Sequence, residues 1–568
     1  MTNNSLQYYR EKSESLILKN PKKISLLSNF TIDGLSNVIK VIAFEQNMHV
    51  QIYQCPYDHY RQEIFDLTSQ WNTSNSELTF LILNFESMMG DNFFNFYSWD
   101  EQKRKDFCNE FINEFENLIK TILSNSSGKI IINNFPLPQF SPLGIYDTKI
   151  SFNLTDLINE LNNKIRQFTI SHTSLFCLDY VSFLQKYGTS NVQDERWKYL
   201  ADMKISPSYI PIFGEYLIGF LKPIFVKTKK CLVLDLDNTI WGGIIGEDGI
   251  NEIKLDEKPP GNTFLEFQKV IKQFYERGII LAINSKNNLD DVKEVFEKHP
   301  KMILKFDDFA SYQINWKNKA LNMNTISEEL NIGLDSLVFW DDDPINRELI
   351  KQTIPEIFVV DVPSDTSFYA QTLRNLDVFH TFTVTDEDSK KGKIYAEQQQ
   401  RKQKSQDFSN LDDFLASLDM KISNELPNDF TIPRISQLTM KTNQFNLTTK
   451  RYSEEQIKEM CSDSNYLIKT FSVSDKFGDN GLTGLYIINK NNSNSWEIDT
   501  FLMSCRIMGR KIENEMLNDL LLQCKNNNVI KLTGKHFPTT KNHVTKDLYL
   551  NFGFSKINDD TYVLNSFD

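Results

Sequence analysis

The stretch CLVLDLDNT, Cys231 to Thr239, constrains this chain more than any other. An unbroken apolar run predicts a strand buried on both faces, the kind found in parallel sheets flanked by helices. That run stops at two carboxylates spaced one apart, Asp235 and Asp237, followed by Thr239 and a glycine-rich stretch to Gly249. The pattern recurs downstream. GIILAINSKNN ends in Ser285, LVFWDDDP ends in Asp341 and Asp342 with Asn346 one turn later, and EIFVVDVP follows. Lys319 opens an amphipathic segment, KALNMNTISEELNIG. Taken singly, an aspartate at a strand end is a turn or an N-cap, and a lysine is a surface lysine. Taken together they form a set, because ligands of a parallel α/β sheet bind beyond the carboxyl ends of its strands.

Each residue type has a chemical use there. A carboxylate attacks phosphorus to form an aspartyl-phosphate, the role expected of Asp235. A second carboxylate two residues on, Asp237, protonates the leaving oxygen and then activates the water that clears the intermediate. So many acids repel one another unless a cation lies between them, and hard oxygen donors suit Mg²⁺. Ser285 and Lys319 would hold and neutralise the transferring phosphoryl group.

DLDNT followed by INSKNN, NWKNK and FWDDDP resembles the haloacid dehalogenase (HAD) phosphotransferase superfamily. The flanking NTIWGGIIGEDG and LDSLVFWDDDPINRE resemble its FkbH-like branch, subfamily IIIC. The resemblance implies Asp235 as nucleophile and Asp237 as acid/base. It places Thr239, Ser285, Lys319 and Asn346 on the phosphate side, and Asp235, Asp237, Asp341 and Asp342 around the metal. Lys317 competes with Lys319, but the family's lysine falls three residues after a tryptophan, here Trp316. Asp343 stands where relatives carry asparagine before the proline. About 48 residues separate Asp237 from Ser285 and about 34 separate Ser285 from Lys319. Those lengths leave room for a helix and a flap but not for a lid domain, so the site is expected to be capless and open to bulky substrates.

The N-terminal third alternates apolar runs (KKISLLSNFTIDG, ELTFLILNFES, GKIIINNFPLP) with helical stretches, the rhythm of a parallel α/β domain. It resembles the SGNH hydrolase-like domain of long FkbH-like proteins. Ser28 takes the nucleophile's position, but the late Asp-x-x-His of such hydrolases reads DERW, Asp194 to Trp197, and His172 lies in an unmatched context. A docking or scaffold role is therefore expected. The C-terminal third mixes strands (GLTGLYIINK, SWEIDTFLMS, VIKLTGKHFP) with a helix and resembles GNAT N-acetyltransferases. Arg506 and Gly509 match the first positions of that family's phosphate-binding loop, and Lys511 replaces its last small residue. Cys505 precedes the loop. A thiol at a helix start beside Arg506, Arg510 and Lys511 would be biased toward thiolate; a buried strand cysteine is the plainer reading.

The expected architecture is α/β in three domains: 1–224 SGNH-like, 225–384 the HAD-like parallel sheet, 385–429 an exposed helical linker, and 430–568 a GNAT-like α+β domain. Net charge is −13 over 568 residues, which argues against general nucleic-acid or anionic-membrane binding. No apolar run suits a membrane span or a signal peptide, so a cytoplasmic protein is expected. The seven cysteines form no C-x-x-C pair, so neither zinc nor a disulfide framework is expected.

The resemblance implies a magnesium-dependent glyceryl transferase/phosphatase. It would take 1,3-bisphosphoglycerate, a phosphorylated three-carbon substrate, and load a glyceryl group onto the phosphopantetheine arm of an acyl carrier protein in polyketide-type biosynthesis. Two alternatives stay open: a phosphatase for another phosphorylated metabolite or sugar, and a carrier-protein-binding adaptor.

Overall fold

Short apolar runs bounded by Asn, Asp and Gly become parallel strands through the first two thirds of the computed structural model, which describes residues 5–384, 391–405, 408, 410–492 and 494–565. The chain divides into two units, Met1–Val226 and Lys227–Asp568.

In the first unit β1 (Lys22–Ser28), β2 (Val50–Gln54), β3 (Leu78–Ile82), β4 (Lys129–Asn133) and β5 (Leu175–Leu178) form a wholly parallel sheet in the order β2-β1-β3-β4-β5. Leu27, Leu81, Ile130 and Ile132 pack with Phe111, Phe115 and Leu118 of the helix Glu101–Asn125 and with Leu157 and Leu161 of the helix Leu154–Ser171.

In the second unit β6 (Cys231–Leu234), β7 (Ile280–Ser285), β8 (Phe309–Ile314), β9 (Leu337–Trp340) and β10 (Phe358–Val359) form a second parallel sheet, ordered β10-β9-β6-β7-β8. Side chains of β6 alternate between two cores. Leu232 and Leu234 join Phe267 and Trp340 on one face, and Cys231 and Val233 join Met323 and Phe339 on the other. That double burial is why the strand reads as an unbroken apolar run. Register then does the positioning. Leu234 pairs with Ile283 on β7 and with Trp340 on β9. The next residues on β6 and β9, Asp235 and Asp341, therefore leave the sheet at one level, beside Asn284 of β7. Between β6 and β7 the chain forms a short helix, Ile245–Asp248, a bridge between Gly242 and Lys254, and the helix Gly261–Glu276. Among the described residues no separate domain is inserted between β6 and β7.

A third sheet follows: β11 (Lys421–Glu425), β12 (Tyr466–Asp475), β13 (Gly478–Asn492), β14 (Ser495–Met503), β15 (Lys531–Lys535), β16 (Ser555–Lys556) and β17 (Thr561–Leu564), ordered β11-β12-β13-β14-β15-β17-β16. It is antiparallel except for the pair β14/β15. Its edge strand β11 lies inside the segment expected as a linker. The helix Lys391–Ser405, expected to be exposed, buries Ile394, Glu397 and Arg401. Arg401 grips Asp475 of β12 through Nε (2.7 Å) and Nη2 (2.8 Å). A polar helix can be held by ion pairs as well as by an apolar stripe, and hydropathy alone does not register that. The call on residues 385–390, at the start of that linker, lies outside the described residues. No helix of the described chain is long and apolar enough to cross a membrane.

Candidate active site

Asp235 follows β6, and its amide donates to the Trp340 carbonyl at 3.0 Å. Lys319 is the first residue of the helix Lys319–Leu330, whose N-cap Asn318 accepts from the Ala320 amide. That start drives the lysine down between two strand ends. Its Nζ lies 2.8 Å from Asp235 Oδ2 and 2.6 Å from Asp341 Oδ2, and the residue is 2% exposed. Burial works against the lysine's charge, but the two carboxylates outweigh it and raise its pKa above the ordinary value. Asp342 sits beside them, within reach of the Thr239 hydroxyl at 3.5 Å. Lys317, by contrast, is exposed.

Asp235, Asp341 and Asp342 each offer an oxygen, all within 4.8 Å of one another. Burial, helped by the charge of Asp235, pushes Asp341 up to about 6, against the pull of Lys319. Burial with Asp235 and Asp341 pushes Asp342 up to about 7. One lysine does not neutralise three acids. Asp235 Oδ1 is buried with no hydrogen-bond partner, an oxygen left to accept a cation. The donor set is all carboxylate and fits a hard divalent ion.

Asp237, expected among the metal residues, is not part of this group. Its Oδ1 accepts from Trp241 Nε1 (2.9 Å) and the Ile245 amide (3.1 Å), and its Oδ2 accepts from Asn287 Nδ2 (3.0 Å). Burial nonetheless raises its pKa, which suits a group that gives and takes a proton. Its separation comes from its partners: past the end of β6 the Trp241 indole, the Ile245 amide and the Asn287 side chain converge on its carboxylate. Trp241 and Asn287 were not singled out in the sequence, although both stand inside its motifs (NTIW, SKNN).

On the phosphoryl side Ser285 is buried, and its Oγ accepts from Asn287 Nδ2 at 3.2 Å. Thr239 is fully buried. Asn346 donates to Asp341 Oδ1 at 3.3 Å. Arg347, also missed, donates through Nη1 to the carbonyls of Asp341 and Asp342, both at 2.7 Å, and fixes that turn. Asp343 caps the helix Pro344–Thr353 by accepting from the Ile345 amide at 2.8 Å, work that asparagine's carbonyl oxygen also does. The arrangement brings the carboxylates expected as nucleophile and acid/base, a cation-ready acid group and a buried lysine to neighbouring strand ends.

The other candidates lie elsewhere. Cys505 opens a single 3-10 turn, Cys505–Ile507, and its side chain lies outside the described residues. Arg506 is buried and donates to the Asn480 carbonyl at 3.4 Å. Gly509 has φ +78, a conformation that side chains rarely adopt. Arg510 donates to Asp475 at 3.1 Å, and Lys511 pairs with Asp412. In the first unit the Ser28 hydroxyl donates to the Phe30 carbonyl (2.9 Å) and accepts from the Phe30 amide (3.2 Å). It closes a turn. A cavity of about 780 Å³ is lined by Phe30, Asn84, Asn133, Tyr180, Asp194 and Lys198, among others; Ser28 is not in its lining. Ser28→Ala is accordingly expected to leave phosphate release unchanged while lowering stability by about 1 kcal/mol, the worth of one such hydrogen bond. A phosphate-release assay with a melting curve checks both.

Residues 23–222 match the family model described as FkbH, N-terminal domain. A crystal structure of the N-terminal part of the protein BF1531 from Bacteroides fragilis, containing a phosphatase domain and complexed with Mg, is similar at 29% identity and a TM-score of 0.61, over 67% of this chain and 100% of that one. The ribosomal-protein-S18-alanine N-acetyltransferase from Escherichia coli matches 25% of this chain and 91% of its own at 11% identity, with a TM-score of 0.20. No curated protein sequence matches the chain.

Proposed function

From the match of residues 23–222 to the FkbH N-terminal domain and the similarity to a Mg-bound phosphatase-domain structure, we propose that this chain is an FkbH-like protein of the HAD superfamily, a magnesium-dependent HAD-type phosphatase that also passes a glyceryl group to an acyl carrier protein. The observation that carries the phosphatase reading is the buried contact of Lys319 with Asp235 and Asp341 at adjacent strand ends. Asp235 attacks phosphorus and the substrate oxygen leaves, taking a proton from Asp237. Water, deprotonated by Asp237, then cleaves the aspartyl-phosphate and releases phosphate. Ser285 and Lys319 hold the transferring group. Mg²⁺ bound by Asp235, Asp341 and Asp342 would offset the charge that these acids and the phosphate bring together.

The transfer half rests on the family resemblance. In 1,3-bisphosphoglycerate the C1 acyl phosphate is activated. The Cys505 sulfur forms a bond to C1 and the acyl phosphate group leaves as phosphate. The phosphopantetheine thiol then takes the acyl group, and the Cys505 thiol is restored. Exchange between thioesters is nearly isoenergetic, so proximity is what the site must provide. The C3 monoester is the part that needs Asp235. Arg506 and Gly509 would face the anionic substrate or the arm's phosphate.

Two readouts test these halves. Carrier protein incubated with enzyme, Mg²⁺ and 1,3-bisphosphoglycerate should gain a glyceryl mass, and Cys505→Ala should abolish that gain while sparing phosphate release from a simple monoester. An alanine variant that loads carrier at the normal rate removes Cys505 from the path. Phosphate release with no carrier loading under any condition leaves a phosphatase for another phosphorylated metabolite or sugar.

A further inference from the structure

Of the seven tryptophans, Trp316 is the most exposed, at 71%, whereas Trp241 and Trp340 are fully buried. Its setting is fixed. The indole Nε1 donates to Asn288 Oδ1 at 3.2 Å. The amide of the preceding residue, Asn315, donates to the Ser285 carbonyl at 3.1 Å. The amide of the following residue, Lys317, donates to Asn315 Oδ1 at 2.9 Å. Three residues on, Lys319 reaches Asp235 and Asp341. An indole pinned this way is not an idle loop side chain. Its apolar face stands in water, one residue from the backbone that carries Ser285.

The neighbouring loops repeat the pattern. Ile244 is 40% exposed and precedes Ile245, whose amide holds Asp237. Ile345 is 76% exposed and precedes Asn346, which holds Asp341. After β6, β8 and β9, an apolar residue left in solvent thus stands just ahead of a residue that contacts the carboxylates of the site. Exposed apolar groups on segments that hold a polar site mark a surface that a ligand can complete.

We propose that Trp316 is a specificity-determining residue that contacts the organic group of the substrate just beyond the phosphate, and that this group has an apolar or aromatic face. The inference rests on the phosphoryl-transfer reading of Asp235, not on the glyceryl assignment. A free three-carbon phosphate covers little of an indole, so this contact favours the alternative of a phosphatase for a larger phosphorylated metabolite over free 1,3-bisphosphoglycerate.

Hydrolysis of 1-naphthyl phosphate and of methyl phosphate tests it in the wild type, Trp316→Ala and Trp316→Phe. The ratio of kcat/KM for naphthyl over methyl ester should fall about tenfold in the alanine variant, the size of one stacking contact, and stay within about threefold in the phenylalanine variant. An unchanged ratio overturns the proposal, including the case in which both esters lose equally, which would mean that Trp316 acts through Asn288 and Asn287 on Asp237. Calorimetric binding of benzylphosphonate against methylphosphonate, with Mg²⁺ present, reads the same contact without turnover. A protein that hydrolyses neither ester yet loses benzylphosphonate selectively on Trp316→Ala keeps this inference and loses the phosphatase reading. Equal binding of benzylphosphonate by wild type and variant overturns it.

Discussion

Asp235→Asn is expected to give a folded protein whose phosphate release falls to background. The substitution keeps the shape of the side chain and can still accept at the position that Lys319 contacts at 2.8 Å. What it removes is the anionic oxygen that attacks phosphorus, and no nearby group replaces it. Asp341 is held by Lys319, Asn346 and the Asp343 amide. Asp237 is held by three donors of its own. The loss should appear in kcat rather than in KM, because the phosphate-side groups remain in place. Release at a rate near wild type, with the substitution verified by mass, would rule out the aspartyl-phosphate route and leave Asp235 as a metal residue only. Stripping the metal with EDTA should abolish release in the wild type, and Mg²⁺ should restore it.

Lys319→Met is expected to cost both activity and stability. Methionine keeps most of the length and fits the space, so the change isolates the charge. In the metal-free protein it leaves Asp235 and Asp341 buried without their cation. Removing one partner of a buried ion pair costs about 3–5 kcal/mol, here read as an earlier urea midpoint for the second unit. Mg²⁺ binds only the folded arrangement of carboxylates and should recover part of that loss, while phosphate release stays low because the transferring group has lost its lysine. Wild-type stability in the metal-free variant would mean that the two acids take up protons at little cost on losing the lysine, and that Lys319 serves transfer but not folding.

The sequence made the second sheet and its strand ends readable because the fold there obeys simple periodicities. Cys231–Leu234 and Ile280–Ser285 are buried on both faces, and each shows as an apolar run. The end of β9 is marked by Asp341 and Asp342. β8 escaped notice because FASYQI buries only its first half and carries polar residues in its second. β2 and β5 are only partly buried for the same reason, with Gln51 exposed and Cys177 half-buried. The site's acids and lysine were legible as residue types at strand ends. The donors that hold them were not. Trp241 reads as core and Asn287 as a turn residue, and their contacts with Asp237 exist only once the flap folds back. The four-acid group expected around the metal became three because neither register nor spacing shows which way a carboxylate turns after its strand ends. The linker was misjudged as exposed because Arg401 and Asp475, 74 residues apart, find each other only in three dimensions.

That Arg401–Asp475 grip bears on how this chain is taken apart. The helix Lys391–Ser405 packs on β8 of the second sheet and also meets β13 of the third. It therefore acts as a mortise between the second sheet and the sheet that carries the Cys505 loop, and Arg510 of that loop shares the same aspartate. A chain ended before Lys391 loses more than its last sheet. It uncovers the flank of β8, one strand from the carboxyl end where Ser285 sits. A chain begun after Ser405 leaves Asp475 with Arg510 as its remaining basic partner among the contacts described. Neither cut falls at a natural joint, so splitting this protein to test the two proposed chemistries disturbs both sheets, and point substitutions divide them more cleanly than scissors.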